Sequence, residues 1–334
     1  MSASIVPTST GWRRWWPTLR RVGTVAFFVI VAALLWSQAR QIEWAAVGAA
    51  MRAYPVTTLL AAAALAALSH ALYSGIDLFG RHWTRHRLPL RQVMPLTFVC
   101  YAFNLNLGSL VGGLAMRYRL YSRLGLPLDT ITRVVGMSLA TNWLGYLALA
   151  GAVFATRTIT PPEGWKIGAV ALQGLGVALL ATAAAYVLAC AFSPGRSLSL
   201  RGHEFTLPSG RIAILQLVMS AANWATIGGV VYVLLQGRVD YPLVLGTLLV
   251  AAVAGVLTHI PAGLGVLEAV FIALLGAQVP RPELLGALLT YRALYYLLPL
   301  LLATVMYLLM EARQRASPPA RLQSRHQRRH QSLR

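Results

Sequence analysis

The stretch 259-HIPAGLGVLEAVF-271 sets a histidine, a proline, two glycines and a glutamate inside an apolar run from 242 to 279. Pro261 cannot continue a helix and has no N–H to donate. Gly263 and Gly265 permit backbone angles that other residues resist. One helix therefore stops near His259 and a shorter one starts near Gly265. The new helix offers free N–H groups and a partial positive charge at its first turn, where Glu268 lies. Two readings are open. Glu268 caps the short helix while His259 satisfies a nearby carbonyl, or the break lines a polar cavity where Glu268 meets a proton, a cationic group or an arginine. Ionisable residues at membrane depth are costly enough to mark function. The arginine at hand is Arg292, in 288-LLTYRALYYLLP-299.

A second constellation is 101-YAFNLNLGSLVGGLAMRYRLYSRLGLP-127. Asn104 and Asn106 bring amides to an interrupted apolar segment, and Gly108, Gly112 and Gly113 loosen its backbone or let helices approach closely. Arg117, Arg119 and Arg123 follow, interleaved with Tyr118 and Tyr121. The planar guanidinium fork suits phosphate oxygens, so these arginines have the chemistry of a phospholipid headgroup site. The competing reading is ordinary positive charge on a cytoplasmic loop. His70 and Asp77 lie close to two helical turns apart, so both could face one cavity. Asn142 beside Trp143 and Asn223 beside Trp224 are polar groups within apolar spans, where they could equally join helices.

Elements that could hold these residues follow from composition. Of the 334 residues, 57% are hydrophobic and 11% charged, against about 25% charged in soluble domains. Mean hydropathy is +0.62. Apolar windows at 22–39, 55–79, 133–156, 167–192, 211–236 and 285–309 are each long enough to span a bilayer as a helix. Two more, 92–113 and 242–279, are irregular and read as re-entrant or broken segments. Open strands cannot span lipid, so the expected fold is an all-α polytopic membrane protein. The N-terminal run, with Trp12, Trp15 and Trp16 beside Arg13 and Arg14, reads as an uncleaved signal anchor rather than a secretory signal.

Charge orients the chain. The net charge is +20, carried by arginines apart from Lys166. If both irregular segments return to the side they left, 22 basic residues fall on the cytoplasmic side and six outside, with Arg292 in the membrane, as the positive-inside rule requires. Both termini are then cytoplasmic. Each half reads span, span, interrupted segment, span, in opposite orientation, an inverted-repeat layout typical of transporters. The expected organisation is a basic cytoplasmic segment at 1–21, a membrane domain at 22–311 and a disordered Arg-rich cytoplasmic tail at 312–334. Residues 194–210 alternate around Arg-Gly as in a small hairpin. The tail reads as a topogenic anchor attracted to anionic lipid, and no nucleic-acid partner is expected. Cys100 and Cys190 lie in apolar segments without metal-ligand spacing. No hydrolase triad, phosphate-binding loop or zinc motif is present, so neither enzyme activity nor a cofactor is expected.

The blocks CYAFNLNLGSLVGGLAMRYRLYSRLGLPLDTITRV, TNWLGY and HIPAGLGVLEAVFIALL resemble the lysylphosphatidylglycerol synthetase/flippase transmembrane-domain family. That family includes the membrane half of MprF and stand-alone inner-membrane members of the YbhN type. The resemblance implies a bacterial inner-membrane protein on a fold that supports lipid movement between leaflets. It does not carry the synthase activity, which in MprF-like proteins resides in an additional soluble domain. The positions it transfers are Asn104, Asn106, Gly112, Gly113, Arg117, Arg119, Arg123, Pro261, Gly263, Gly265 and Glu268; His259 and Arg292 join them from the reading of the breaks. The expected function is phospholipid translocation, with membrane phospholipid as partner. Alternatives are a non-transporting partner or regulator of a lipid-synthesising enzyme, and an ion-coupled small-solute carrier.

Overall fold

The computed structural model describes residues 44–159, 168–193, 197–200, 203–258 and 260–316. The chain divides into two units, Met1–Ala46 and Val47–Arg334. Of the first, the described residues are 44–46, the opening of α1 (Trp44–Arg52). The 1–21 segment, the 22–39 span and residues 317–334 of the tail lie outside the described residues, as does His259.

The second unit continues with α2 (Val56–Ser74), α3 (Asp77–Thr84) and α4 (Leu90–Leu107), then a π-helical stretch (Ser109–Ala115) leading into α5 (Met116–Arg123). After α6 (Leu128–Ala155) and α7 (Ala169–Phe192), two strands, β1 (Ser197–Leu200) and β2 (His203–Thr206), pair antiparallel with Ser197 opposite Thr206. Then come α8 (Gly210–Leu234), α9 (Tyr241–Thr258), a tight turn (Pro261–Gly263), α10 (Val266–Leu275) and α11 (Arg281–Arg292). A second π-helical stretch (Ala293–Leu297) joins α11 to α12 (Leu298–Ala316). The last helix runs to Ala316, so residues 312–316 extend a helix rather than open a disordered tail.

Among the described residues, six helical stretches are long and apolar enough to cross a membrane: 56–84, 128–155, 169–192, 210–234, 241–258 and 281–312. Five match expected spans. The sixth is α9, the first limb of the interrupted 242–279 segment, which has spanning length by itself. Large apolar side chains stand exposed on α7 (Val170 73%, Phe192 82%) and α12 (Leu301 62%). Such surface is anomalous in water and ordinary in lipid, where bundles cohere by close packing of small residues. A Cβ on Gly145 would sit 2.3 Å from Ser220 Oγ on α8, and one on Gly176 would sit 2.4 Å from the Ala155 nitrogen. These glycines let α6 touch α8 and α7 backbone to backbone.

Both interrupted segments fold back on themselves. Gly108, at φ +84°, closes α4 in a conformation suited to glycine, and the π-helical return packs on α4. There a Cβ on Gly112 would lie 2.1 Å from the Phe103 carbonyl oxygen, and one on Gly113 2.6 Å from Asn104 Oδ1. The two glycines serve close approach. In the second segment α10 packs back along α9, and the 261–263 turn rests against α4.

Candidate functional site

The second break is built around an arginine. Ala262 adopts φ 56° and Gly263 φ 56°, a left-handed pair that turns the chain sharply. Gly265, at φ +78°, caps α10. The turn leaves the Ala262 and Gly263 carbonyls without helical partners, and Arg292 supplies them: Nη1 donates to Ala262 O at 2.9 Å and Nη2 to Gly263 O at 3.0 Å. The same guanidinium grips Glu268, Nε to Oε1 at 2.6 Å and Nη2 to Oε2 at 3.1 Å. Glu268 Oε2 also accepts the Gly265 N–H at 3.0 Å. Glu268 thus both caps the short helix and pairs with Arg292, while the His259 contact of the first reading lies outside the described residues. The pair is 10% and 16% exposed at the side chains, with the Tyr296 ring 5.5 Å from the guanidinium carbon.

The first break reaches the same place from the other half. Asn106 Nδ2 donates to Ala102 O at 2.8 Å and to Tyr296 O at 3.2 Å, tying the end of α4 to the widened turn after Arg292. Asn104 is half-buried against Gly113. The two hairpin ends, the Arg292–Glu268 pair and the 293–297 turn thus form one polar region. Its rim is apolar: Leu107 is 50%, Leu110 74% and Leu264 40% exposed.

The three arginines of α5 do not act as a group. Positions 117 and 119 project about 200° apart on a helix, while 119 and 123 share a face. Arg117 turns inward, 5% exposed, and donates to Asp77 through Nε and Nη2, both at 3.2 Å. Tyr121 OH adds a bond to Asp77 Oδ2 at 3.0 Å, and Ser138 Oγ lies 3.4 Å from Arg117 Nη2. Arg119 and Arg123 turn to the other face and meet Glu311 on α12, at 3.7 Å and 2.5 Å. The hydrogen bond to Glu311 raises the Arg123 pKa above its ordinary value. A single phosphate clamp from Arg117, Arg119 and Arg123 is not what this geometry provides. Nor do His70 and Asp77 share a cavity: His70 lines an apolar cavity whose wall does not include Asp77, and Asp77 is taken up by Arg117.

Two features escaped the sequence reading. Asp77 is the partner of Arg117, forty residues away and on another helix. The run 81-RHWTRHR-87 curls into a basic cradle of about 410 Å³, lined by Arg81, His82, Arg85, His86 and Arg87. Arg85 takes a left-handed φ of 54° to end α3 there, and Arg81 Nε holds Leu88 O at 2.7 Å. Partial burial, and then the Arg81 charge, lower the His86 pKa. The density of arginine and histidine in seven residues was the available signal.

A buried polar cluster joins the halves near the break. Ser69 Oγ donates to Asn223 Oδ1 at 2.7 Å and lies 2.7 Å from Tyr295 OH, which is 2.8 Å from Tyr101 OH. Asn142 contributes its backbone, its carbonyl accepting from Ser220 Oγ at 2.9 Å and Trp224 Nε1 at 3.2 Å. Among the described residues there is no group of three metal-ligating side chains.

Residues 24–303 match the family model of the lysylphosphatidylglycerol synthase TM region. The chain is 45% identical over 298 residues to the inner membrane protein YbhN of Escherichia coli, covering 89% of this chain and 94% of that protein. An uncharacterized protein of Synechocystis is 27% identical over 294 residues, covering 85% of this chain and 90% of that protein. A phosphatidylglycerol lysyltransferase of Staphylococcus haemolyticus is 30% identical over 93 residues, 27% of this chain and 11% of that protein.

Proposed function

The chain belongs to the lysylphosphatidylglycerol synthase TM region family, and from that premise we propose that this multi-pass inner-membrane protein is a phospholipid translocase without synthase activity. The observation that carries the reading is Arg292, held at a backbone break by one carboxylate and two carbonyls that a lipid phosphate could replace. Arginine grips phosphate and carboxylate with the same bidentate fork. A phosphodiester engaging Arg292 displaces Glu268, and Glu268, at low dielectric, then takes up a proton or another cation rather than stand unpaired. That exchange couples lipid capture to a charge change in the site. Movement is downhill or ion-coupled.

Both hairpins are re-entrant on this reading, entering from opposite sides in the two inverted halves and leaving both termini cytoplasmic. The exposed leucines at 107, 110 and 264 support hairpin ends at membrane depth, where the irregular backbone is covered by Arg292 rather than by lipid. The 81–87 cradle lies on the inner face and holds anionic lipid headgroups.

The test is leaflet exchange of headgroup-labelled phospholipids in liposomes containing purified protein, beside Glu268→Gln and Arg292→Lys. Exchange should rise with protein and fall in both variants at unchanged abundance. Background exchange from wild-type protein, across several headgroups and with an imposed proton gradient, would overturn the reading in favour of a non-transporting partner of a lipid-synthesising enzyme.

A further inference from the structure

A cavity of about 340 Å³ opens between α2, α4 and the start of α12. That lies at the small end of the range for small-molecule sites, about 300–1,000 Å³. Its wall is almost wholly apolar, with Phe98, Leu294, Leu298 and Leu302 prominent. Its outer rim is exposed on membrane-spanning helices: Leu298 is 45% and Leu302 50% exposed. In a bilayer that mouth faces lipid.

One polar side chain in the wall has an unmet need. His70 is 2% exposed. Its Nδ1 lies 2.9 Å from the Ala66 carbonyl, which can only accept, so Nδ1 carries the proton. Nε2 of the neutral ring is then an acceptor, and among the described residues nothing donates to it. The rings of Phe98, Tyr101 and Tyr295 surround the imidazole at 5.7, 5.2 and 4.7 Å between centroids. The other polar side chain of the wall, Ser74, already donates its hydroxyl to the His70 carbonyl at 2.6 Å.

We propose that this cavity binds an uncharged lipid with a free hydroxyl, its hydrocarbon filling the apolar wall and its O–H donating to His70 Nε2 once the buried imidazole edge shifts to meet it. A lone acceptor in apolar surroundings selects a donor. Phosphate and ester oxygens only accept, so they would face Nε2 acceptor to acceptor. An ammonium headgroup would need a carboxylate, and no residue of the wall is acidic. A trapped water needs two to four polar partners, more than this wall offers. Diacylglycerols and long-chain alcohols share the required chemistry. The site is distinct from the Arg292–Glu268 region, and its occupancy is measured without any lipid movement.

The experiment uses the full-length protein in nanodiscs with a photoactivatable diacylglycerol probe. Competitors are unlabelled dioleoylglycerol, its O-methyl ether and a twenty-carbon prenol. Dioleoylglycerol should compete roughly fivefold or more better than the ether, the scale of one lost hydrogen bond. The prenol distinguishes a long-chain alcohol site, where it competes better than the glyceride, from a glyceride site, where it does not. His70→Leu should erase the preference for alcohol over ether. Ala67→Phe, at an exposed wall position tolerant of a larger side chain, should block labelling altogether. Equal competition by ether and alcohol, or undiminished labelling of Ala67→Phe, would overturn the proposal.

Discussion

Among the described residues two arginine–carboxylate pairs lie inside the protein, and they differ in what surrounds them. Arg117–Asp77 is encased, with side chains 6% and 0% exposed, and its spare valences go to Tyr121 and Ser138 and, at a long 3.5 Å, to the Gly113 carbonyl. It joins regular helices. Arg292–Glu268 is 10% and 16% exposed, and its spare valences go to the carbonyls of a broken backbone. A pair sealed at 6% and 0% exposure and held mainly by side chains of packed helices has no reason to open. A pair that also satisfies loose carbonyls at an apolar-rimmed break can exchange partners without unfolding a helix. The first pair is a pin and the second a latch.

The largest expected effect tests the pin. Asp77→Asn strands the Arg117 charge in a dry site, and breaking a buried pair from one side costs about 3–5 kcal/mol. Thermal unfolding in detergent should show a large loss of midpoint, and Asp77→Leu combined with Arg117→Met should recover much of it. Glu268→Gln should lower the midpoint far less, because Arg292 keeps two carbonyls and an amide oxygen, yet it should stop lipid exchange. Equal destabilisation by Asp77→Asn and Glu268→Gln would erase the distinction between pin and latch.

The glycines sharpen the same contrast at lower cost. Gly112→Ala drives a Cβ to 2.1 Å from backbone at Phe103, an overpacking penalty of about 1–3 kcal/mol. Gly263→Ala meets nothing within 4 Å and is strained through its φ of +56° alone. It should cost roughly 1 kcal/mol and slow lipid exchange more than it lowers the unfolding midpoint. The reverse pattern would place the working break in the first half.

The break at 261–265, the short helix after it and the Glu268–Arg292 pair were legible in sequence because proline, glycine and lone charges in hydrocarbon each have a strong local meaning. Composition and window length likewise exposed the long helices. Partner choice for the α5 arginines was not legible. The alternation of Arg117 with Arg119 and Arg123 is visible on a helical wheel, but which face is buried depends on α3 and α12, which no local pattern brings there. The spanning length of α9 was hidden because its apolar run continues through the break. His70 stood out as a polar residue in a span, while its isolated nitrogen depends on rings from α4 and the 293–297 turn.

The smallest effect completes the comparison with a third pair. Arg123 and Glu311 meet at the helix surface, 32% and 18% exposed, with Arg119 alongside at 50%. Where water competes for both charges, an ion pair contributes little. Glu311→Gln should leave both the unfolding midpoint and lipid exchange unchanged within error, at low salt as at high. If it instead impairs exchange while the midpoint holds, Arg119 and Arg123 belong to the lipid path after all, and the path runs along α5 and α12 as well as through the break. Measuring the three carboxylate variants side by side therefore separates burial from placement: burial sets what a lost charge costs the fold, and proximity to loose backbone sets what it costs the function.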